Sequence, residues 1–352
     1  MNKSRIIGIG HYVPPNVVTN DDLSKKIDTS DEWIRERTGI EKRHFVTEGT
    51  GTADLAFEAA RQALSDAKKE ARDIEFIIFA TLSPDYFFPG SGVLLQQKLG
   101  IDSIGALDIR TQCTGFIYGL SVADNMIRAG QYRRVLLVGS EVHSTGLDLS
   151  TRGRDVAVLF GDGAGAVLLE ATEGSPEQSR GSTPLTIDPE KSQRATEEDR
   201  GVLSTHLHSD GRHARDLWVE APGSLTPMNT LNIGEGRHFP RMNGREVFKH
   251  AVTKFIEVIH EALKANGVTK EDLDLLVVHQ ANIRIAEAVR DYLKLPPEKM
   301  YNNIQRYGNT TAASIPIALS EAKDEGRLKE GDLVCLAAFG SGFTWASALI
   351  RW

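Results

Sequence analysis

The sequence Ile104-Gly105-Ala106-Leu107-Asp108-Ile109-Arg110-Thr111-Gln112-Cys113-Thr114-Gly115-Phe116 joins a short apolar run to a long helical pattern. The run is typical of a buried β-strand, so Cys113 is predicted to stand at a strand-to-helix turn. At a helix N-terminus the backbone dipoles and free N–H groups favour a thiolate over a thiol, which suits a nucleophile. A small thiol buried in the core is the alternative interpretation.

Two further polar residues occupy comparable places near the other end of the chain. His279 follows the apolar run 273–278, and Asn309 lies in a Tyr-Gly-Asn-Thr-Thr stretch that opens another helix. Cysteine, histidine and asparagine at element ends can act as nucleophile, proton-handling group and hydrogen-bond donor. Taken singly, a histidine that ends a buried strand also fits a structural role, and Gly-Asn is a common turn.

The chain repeats one order of elements, which indicates an internal duplication. The first copy comprises a strand at 74–80, a helix at 92–99, the Cys113 turn with its helix, and a strand at 135–139. The second comprises a strand at 273–278, a helix at 283–293, the Asn309 turn with its helix, and a strand at 333–339. Alternation of this kind predicts an α/β fold with parallel-rich sheets and helices on their faces.

Composition limits the class of protein. A chain of 352 residues with 40% hydrophobic content can bury a large core, as one domain or as two similar halves. Its two cysteines favour a reducing compartment, and Cys335 lies in an apolar strand where a core role is expected. The absence of a signal-like start and of any 18-residue apolar run predicts a cytoplasmic protein without a membrane segment. A net charge of −7 disfavours nucleic acid as a partner.

Six ordered motifs resemble the β-ketoacyl-acyl carrier protein synthase III family of condensing enzymes. They are Asp28–Ile34 with Arg37–Ile40, Gln112–Phe116, Phe160–Ala166, His279–Asn282, Tyr307–Ser314 and Phe339–Trp345. The resemblance covers nearly the whole chain and implies the thiolase fold, with two duplicated α/β halves in a five-layer αβαβα arrangement. We therefore expect an N-terminal half at 1–172, an irregular insert at 173–240 that is longer than usual for the family, and a C-terminal half at 241–352.

The resemblance also implies a reaction. Cys113 would accept the acyl group of an acyl-coenzyme A, and a malonyl thioester on acyl carrier protein would then lose carbon dioxide and attack that group. His279 and Asn309 would hydrogen-bond the enolate oxygen, and the backbone N–H groups of Cys113 and Ser341 would form the oxyanion hole. No cofactor is implied, and the enzyme would be a homodimer.

Substrate contacts are implied by motif position. Thr29, Trp33, Arg37, Arg152 and Asn282 resemble the coenzyme A site of the family, in which Trp33 and Arg37 would hold the adenine by stacking. Phe88 matches the residue that lines the acyl pocket of the neighbouring subunit. Lys249 and Arg284 are candidates for docking the acidic carrier protein, although a solvated helix face explains the same charge pattern.

Several alternatives stay open. Ser341 replaces a glycine of the family's tri-glycine turn, and it fits without strain only if its φ is negative. An acyltransferase or specialised-metabolite ketosynthase of the same fold would use another acceptor, and a non-catalytic acyl-coenzyme A binding protein is a third class.

A possible metal cluster is formed in the sequence by His206, His208 and His213 with Asp210. It lacks a second set of ligands, so no metal site is predicted. The Gly161–Gly165 run is interpreted as a structural turn rather than a phosphate loop.

Overall fold

The computed structural model describes residues 3–172 and 200–352, in which strands and helices alternate along the chain. The strands are β1 Lys3–Tyr12, β2 Val17–Thr19, β3 Lys42–His44, β4 Phe76–Ala80, β5 Gly105–Ile109, β6 Arg134–Glu141, β7 Gly163–Thr172, β8 Gly201–Ser209, β9 Leu217–Trp218, β10 Arg241–Met242, β11 Leu275–Val278, β12 Leu333–Gly340 and β13 Thr344–Arg351. The helices are α1 Asn20–Ser24, α2 Asp31–Thr38, α3 Thr52–Asp66, α4 Ser91–Lys98, α5 Gly115–Arg128, α6 Arg154–Ala157, α7 Thr230–Gly234, α8 Gly244–Ala265, α9 Ile283–Leu293, α10 Ile304–Tyr307 and α11 Ser314–Asp324. Short 3₁₀ turns at Gln112–Thr114 and Thr311–Ala313 lead into α5 and α11.

Local sequence signals explain where several helices begin and end. Ser30 caps α2 by accepting a hydrogen bond from the backbone N–H of Trp33 at 3.1 Å, and Gly39 ends that helix with φ at 77°. Helix α8 stops before Gly267, whose φ is 64°. Gly51 occupies the N-cap position of α3, and the hydroxyl of Thr52, the first residue of that helix, donates to the backbone oxygen of Ser83.

Two sheets carry the fold. The first has the order β1-β7-β6-β4-β5, with β4 parallel to both β5 and β6 and with β7 antiparallel to its neighbours. The second has the order β11-β12-β13-β8, with β11 parallel to β12 and the other pairs antiparallel. Strands β4, β6, β11 and β12 are buried almost throughout, as their continuous apolar runs predict.

The helices make three layers around these sheets. Between the sheets, α5 and α11 share one core cluster with apolar side chains of both, including Phe116, Leu137, Ile315 and Leu336. Helices α3 and α4 cover the outer face of the first sheet, and α8 and α9 cover that of the second. The predicted αβαβα arrangement is therefore confirmed. No helix in the described ranges is long and apolar enough to cross a membrane.

The duplication is visible in the strand order. Reading inward from one edge, β1-β7-β6-β4 of the first sheet corresponds to β8-β13-β12-β11 of the second, with the same parallel and antiparallel relations. The place of β5 is taken in the second half by a single parallel bridge between Leu276 and Met300. The two halves thus differ mainly at this edge.

The predicted irregular insert at 173–240 contains a full strand of the second sheet. Strand β8 pairs with β13 from Gly201–Arg351 to Ser209–Thr344 and is the counterpart of β1. Its sequence, Gly-Val-Leu-Ser-Thr-His-Leu-His-Ser, is half-buried and polar, so it lacks the continuous apolar run that marks the central strands. Residues 173–199 lie outside the described residues. The remaining described part of the insert, 210–240, contains β9 and α7, and β9 pairs with β10, which directly follows the insert.

Candidate active site

Cys113 lies on the turn between β5 and α5, as predicted. The turn is strained, because the residue before the cysteine, Gln112, has a φ of 48°. A Cβ added at Gly340 would stand 2.7 Å from the Cβ of Cys113 and 3.1 Å from its Sγ, so only glycine allows β12 to approach the thiol this closely. The backbone N–H groups of Cys113 and Ser341 lie near Sγ and act to lower the pKa of the thiol. The two groups predicted to form the oxyanion hole are therefore both close to the sulfur.

The charge state of Cys113 differs from the sequence prediction. Burial, followed by the nearby carboxylate of Glu141, raises the pKa of the thiol to about 12, and the two backbone hydrogen bonds lower it less. The helix-terminus argument omitted the desolvation of the turn and the buried carboxylate. A pKa this far above neutrality favours the neutral thiol as the resting form of Cys113.

His279 directly follows β11 and is buried. Its backbone N–H donates to Ala337, and its Nδ1 lies 2.7 Å from the Oγ of Ser314 at the start of α11. Burial lowers the pKa of the imidazole to about 3, so the ring is neutral. The other ring nitrogen, Nε2, is buried without a hydrogen-bond partner. A buried polar atom without a partner is costly and is typical of a position that meets substrate.

The amide of Asn309 is oriented by its own loop. Its backbone N–H donates to the Leu159 oxygen at 2.8 Å, and its backbone oxygen accepts from Gly161 at 3.1 Å. The side-chain oxygen accepts a hydrogen bond from the N–H of Thr311 at 2.9 Å, so the amide NH₂ is left as a donor. The Gly161 turn therefore acts as a structural support, since a Cβ at Gly161 would meet the Tyr307 oxygen at 2.2 Å.

One cleft of about 310 Å³ brings these three residues together. Cys113 and Asn309 come from the paired turns of the two halves, and His279 comes from the carboxyl end of β11. Most of the remaining lining side chains are apolar, among them Val158, Leu159, Phe160, Leu217, Met242, Val247, Phe248, Ala251, Phe255, Ile285 and Phe339, whereas Trp33, Arg37, Asp155 and Asn282 add polar or charged groups. Such a cleft suits a long, largely apolar arm that ends at the thiol.

Ser341 fits its turn without backbone strain. The positive φ of this turn falls on Gly342, at 137°, and Ser341 is not among the described residues with positive φ. Its hydroxyl donates to the backbone oxygen of Leu217, which lines the cleft. Serine therefore fits this turn without a positive φ, and its hydroxyl adds one contact.

Trp33 and Arg37 line the mouth of the cleft, but Arg152 does not reach them. The guanidinium of Arg37 lies 4.7 Å from the Trp33 ring centroid, and that of Arg154 lies 4.9 Å from the same ring. Arg152 pairs instead with Asp148, Nε to Oδ2 at 2.6 Å, and lies over the Phe239 ring at 5.6 Å. The sequence alone does not show whether Arg152 or Arg154 contacts Trp33. The 3₁₀ turn before α6 decides which of the two faces the ring.

The other predicted contacts are placed as follows. Thr29 has a buried hydroxyl without a partner, and Asn282 lines the cleft while capping α9 through the N–H of Arg284 at 2.9 Å. Phe88 lies outside the cleft and is 80% exposed, like Phe87 beside it. Arg284 stands at the rim, with its guanidinium 5.9 Å from the Phe248 ring. Lys249 is exposed on α8.

The three histidines considered as a metal cluster, His206, His208 and His213, each lie beside a carboxylate. His208 Nε2 lies 2.6 Å and His206 Nδ1 3.4 Å from the carboxylate of Glu261, whereas His213 pairs with Asp216 at 2.9 Å. Across residues 3–172 and 200–352 there is no group of three or more histidine, cysteine or acidic side chains that could hold a metal ion.

Comparison with known proteins gives a consistent family. Residues 107–187 match the model described as 3-oxoacyl-[acyl-carrier-protein (ACP)] synthase III, and residues 263–352 match its C-terminal model. A β-ketoacyl-[acyl-carrier-protein] synthase III of Bradyrhizobium diazoefficiens is 46% identical over 350 residues, which is 99% of each chain. The crystal structure of the 3-oxoacyl-[acyl-carrier-protein] synthase III from Aquifex aeolicus superposes with a TM-score of 0.85 at 40% identity, covering 99% of this chain and 100% of that one.

A solved structure with another role has the same fold. The priming β-ketosynthase from the R1128 polyketide pathway gives a TM-score of 0.86 at 28% identity, over 99% of this chain and 96% of that one. The two synthase III relatives named above are more similar in sequence, at 46% and 40% identity, and each comparison covers at least 99% of both chains. This chain belongs to the 3-oxoacyl-[acyl-carrier-protein] synthase III family and is a condensing acyltransferase of that family.

Proposed function

We propose that the cleft condenses the acyl group of an acyl-coenzyme A primer with a malonyl group on acyl carrier protein, through an acyl-Cys113 intermediate. The observation that carries this proposal is the convergence of three groups in one cleft. These are a thiol beneath two backbone donors, the unpartnered Nε2 of His279 and the free amide NH₂ of Asn309. Family membership supplies the two substrate classes.

In the first half-reaction the Cys113 sulfur attacks the thioester carbonyl. A carbon–sulfur bond forms at Cys113, the bond to coenzyme A breaks, and the proton of the neutral thiol leaves with the coenzyme A thiol. The tetrahedral oxyanion accepts hydrogen bonds from the N–H groups of Cys113 and Ser341, each worth about 2.7–4 kcal/mol in comparable sites. The product thioester keeps the acyl group activated.

In the second half-reaction the malonyl thioester releases carbon dioxide. The electron pair of the broken carbon–carbon bond stays with the thioester and forms an enolate. The enolate oxygen binds between His279 Nε2 and the Asn309 amide, and the carbanion attacks the acyl carbonyl on Cys113. The carbon–carbon bond forms, the bond to Cys113 breaks, and the sulfur leaves as a thiolate. That thiolate takes one proton from solvent, so the second half-reaction consumes one proton. Coenzyme A thioester and carrier-bound malonate are substrates, and the proposed steps need no cofactor.

The proton on His279 follows from its surroundings. The Ser314 hydroxyl accepts from the Gln280 N–H at 3.3 Å and lies 2.7 Å from His279 Nδ1. When that hydroxyl donates its one proton to Nδ1, the proton of the neutral ring is on Nε2. Neutral His279 then acts as a donor to the enolate, which requires no charged imidazolium.

The adenine end of coenzyme A is assigned to Trp33, Arg37 and Arg154. We expect Arg154→Ala to weaken coenzyme A binding about 2- to 30-fold, since one cation–π contact is worth roughly 0.5–2 kcal/mol. Arg152→Ala is the matched control and should weaken it much less, because Arg152 is held by Asp148 away from the ring. Titration calorimetry with coenzyme A measures both constants. A larger loss in Arg152→Ala would contradict this assignment.

The carrier protein is assigned to the rim beside Phe248. Lys249→Glu and Arg284→Glu should raise the KM for malonyl-acyl carrier protein several-fold while sparing acylation from coenzyme A, and high salt should reduce the defect. Lys264→Glu, an exposed charge reversal at the other end of α8, is the control. Steady-state kinetics at two ionic strengths tests this. Equal KM values in all variants would exclude a docking role.

A homodimer and a cytoplasmic location complete the proposal. Strand β5 is an edge of the first sheet, its residue Leu107 is 37% exposed, and the neighbouring loop exposes Phe87 and Phe88. An unpaired edge beside exposed aromatic side chains supports pairing with a second copy, whose acyl pocket Phe88 would line. Both cysteines are free, which supports a reducing compartment.

Product analysis tests the function as a whole. The protein is incubated with a panel of acyl-coenzymes A, and intact mass identifies the primers that load. Malonyl-acyl carrier protein is then added, and the intact mass of the carrier-bound product is measured. A 3-oxoacyl group on the carrier supports the proposal. Transfer only to other acceptors would support the acyltransferase or specialised-metabolite alternative, and binding without acylation would support the non-catalytic one.

A further inference from the structure

Ser341 connects the oxyanion hole to one wall of the cleft. Its backbone N–H lies beside Cys113 Sγ, and its side-chain hydroxyl donates to the backbone oxygen of Leu217. Leu217 belongs to β9 and lines the same cleft as Cys113. One residue thus contacts both the reacting sulfur and the chain segment that limits the space beside it.

The turn that carries Ser341 is also attached on its other side. The Ser341 oxygen accepts from Thr344 Oγ1 at 3.2 Å, and that hydroxyl lies 2.9 Å from Thr114 Oγ1 at the start of α5. These contacts hold the turn to the nucleophile's helix without involving Leu217. Thr344 therefore offers a matched comparison for Ser341.

The segment that leads to Leu217 packs against this turn. Asp210 and Phe343 exchange two backbone hydrogen bonds, at 2.7 and 2.8 Å. The His213 ring stacks on Phe343 with centroids 4.8 Å apart and planes 9° apart. Leu217 itself pairs with Met242, another residue of the cleft wall. Of the contacts just described, only the Ser341 hydroxyl bond joins the oxyanion turn to Leu217 itself.

We propose that the Ser341 side chain is a positioning residue that makes primer selection depend on the Leu217 wall. A primer that pushes Leu217 outward also pulls on the Ser341 hydroxyl, and thereby displaces the Ser341 N–H that must stabilise the oxyanion. A bulky acyl group would then lose rate in the acylation step as well as affinity. The inference rests on the proposed acylation of Cys113 and concerns how that same site chooses among acyl-coenzyme A primers.

The test compares acetyl-coenzyme A with isobutyryl-coenzyme A, which is branched next to the carbonyl. In Ser341→Ala, the ratio of kcat/KM for the branched primer to that for acetyl should rise about 3- to 10-fold, the factor of one ordinary hydrogen bond. The change should lie mainly in kcat for acylation. Ser341→Thr keeps the hydroxyl and should restore the wild-type ratio. Thr344→Val loosens the same turn but should lower acylation by both primers equally.

A double-mutant cycle identifies the route. Leu217→Ala removes the wall side chain, so adding Ser341→Ala to it should leave the primer ratio unchanged. An unchanged ratio in Ser341→Ala, an equal shift in Thr344→Val, or a full shift in the Leu217→Ala background would each overturn the inference. Absence of any acylation in the wild-type protein would instead overturn the proposed function, and this inference with it.

Discussion

Cys113→Ala is expected to abolish acyl loading, and Cys113→Ser to reduce it by on the order of 10³-fold or more, as is typical when an enzyme loses its nucleophile. Serine keeps the place and the backbone donors, but its hydroxyl forms the reactive anion far less readily than a thiol. Among the described contacts of this turn there is no histidine–carboxylate pair to activate it. The oxyanion hole alone would then act on a poor nucleophile.

Cys335 provides the control for this prediction. Burial raises its pKa to about 12, as it does for Cys113, so thiol acidity does not distinguish the two residues. Access to the substrate distinguishes them, because Cys335 is fully enclosed in β12 whereas Cys113 lines the cleft. Cys335→Ala should therefore load normally. Peptide mapping after brief exposure to acyl-coenzyme A gives the site, and label on the Cys335 peptide or full loading of Cys113→Ser would overturn the mechanism.

The same burial predicts a pH dependence for chemical modification. Because the Cys113 pKa is raised to about 12, the thiolate fraction increases with pH throughout the neutral and mildly alkaline range. Alkylation of the free enzyme by iodoacetamide should rise over that whole range without reaching a plateau, in contrast to a helix-terminus thiolate of depressed pKa.

Much of the fold could be predicted because its central strands are short, buried and apolar on both faces. Helix α9 has the predicted bounds, Ile283–Leu293. Strand β12 was predicted at 333–339 and extends one residue further, to Gly340. The repeated order of elements fixed the two halves, since parallel strands with covering helices have few alternative topologies. The positions of Cys113, His279 and Asn309 at element ends then placed them in one cleft.

The errors have physical causes that lie outside local sequence. Strand β8 was missed because it is held by pairing with β13, whereas its own sequence is polar and half-buried. The pKa direction of Cys113 was wrong because Glu141 and the degree of burial depend on the folded turn. The contact of Arg154 with Trp33 was not predicted, because the 3₁₀ turn before Arg154 determines which of two nearby arginines faces the ring. In each case tertiary context overrides the local signal.

His279→Ala and Asn309→Ala should separate the two half-reactions. Each is expected to reduce decarboxylation and condensation by about 10²- to 10³-fold, the usual effect of removing one donor from a developing oxyanion. Acyl loading of Cys113 should be retained, because its oxyanion accepts from the N–H groups of Cys113 and Ser341 instead. The unpartnered Nε2 of His279 and the amide orientation of Asn309 are the structural basis for this division.

Ser314→Ala supplies a graded comparison for the same division of roles. It removes the hydroxyl that lies 2.7 Å from His279 Nδ1 and so weakens control of the ring proton, while leaving the imidazole in place. Decarboxylation should fall by less than in His279→Ala. Intact mass after exposure to acyl-coenzyme A measures loading, and carbon dioxide release from malonyl-acyl carrier protein measures the second step. If His279→Ala and Asn309→Ala lost both activities equally, the two residues would have to act on the primer as well, and the assignment of His279 and Asn309 to the enolate alone would be wrong.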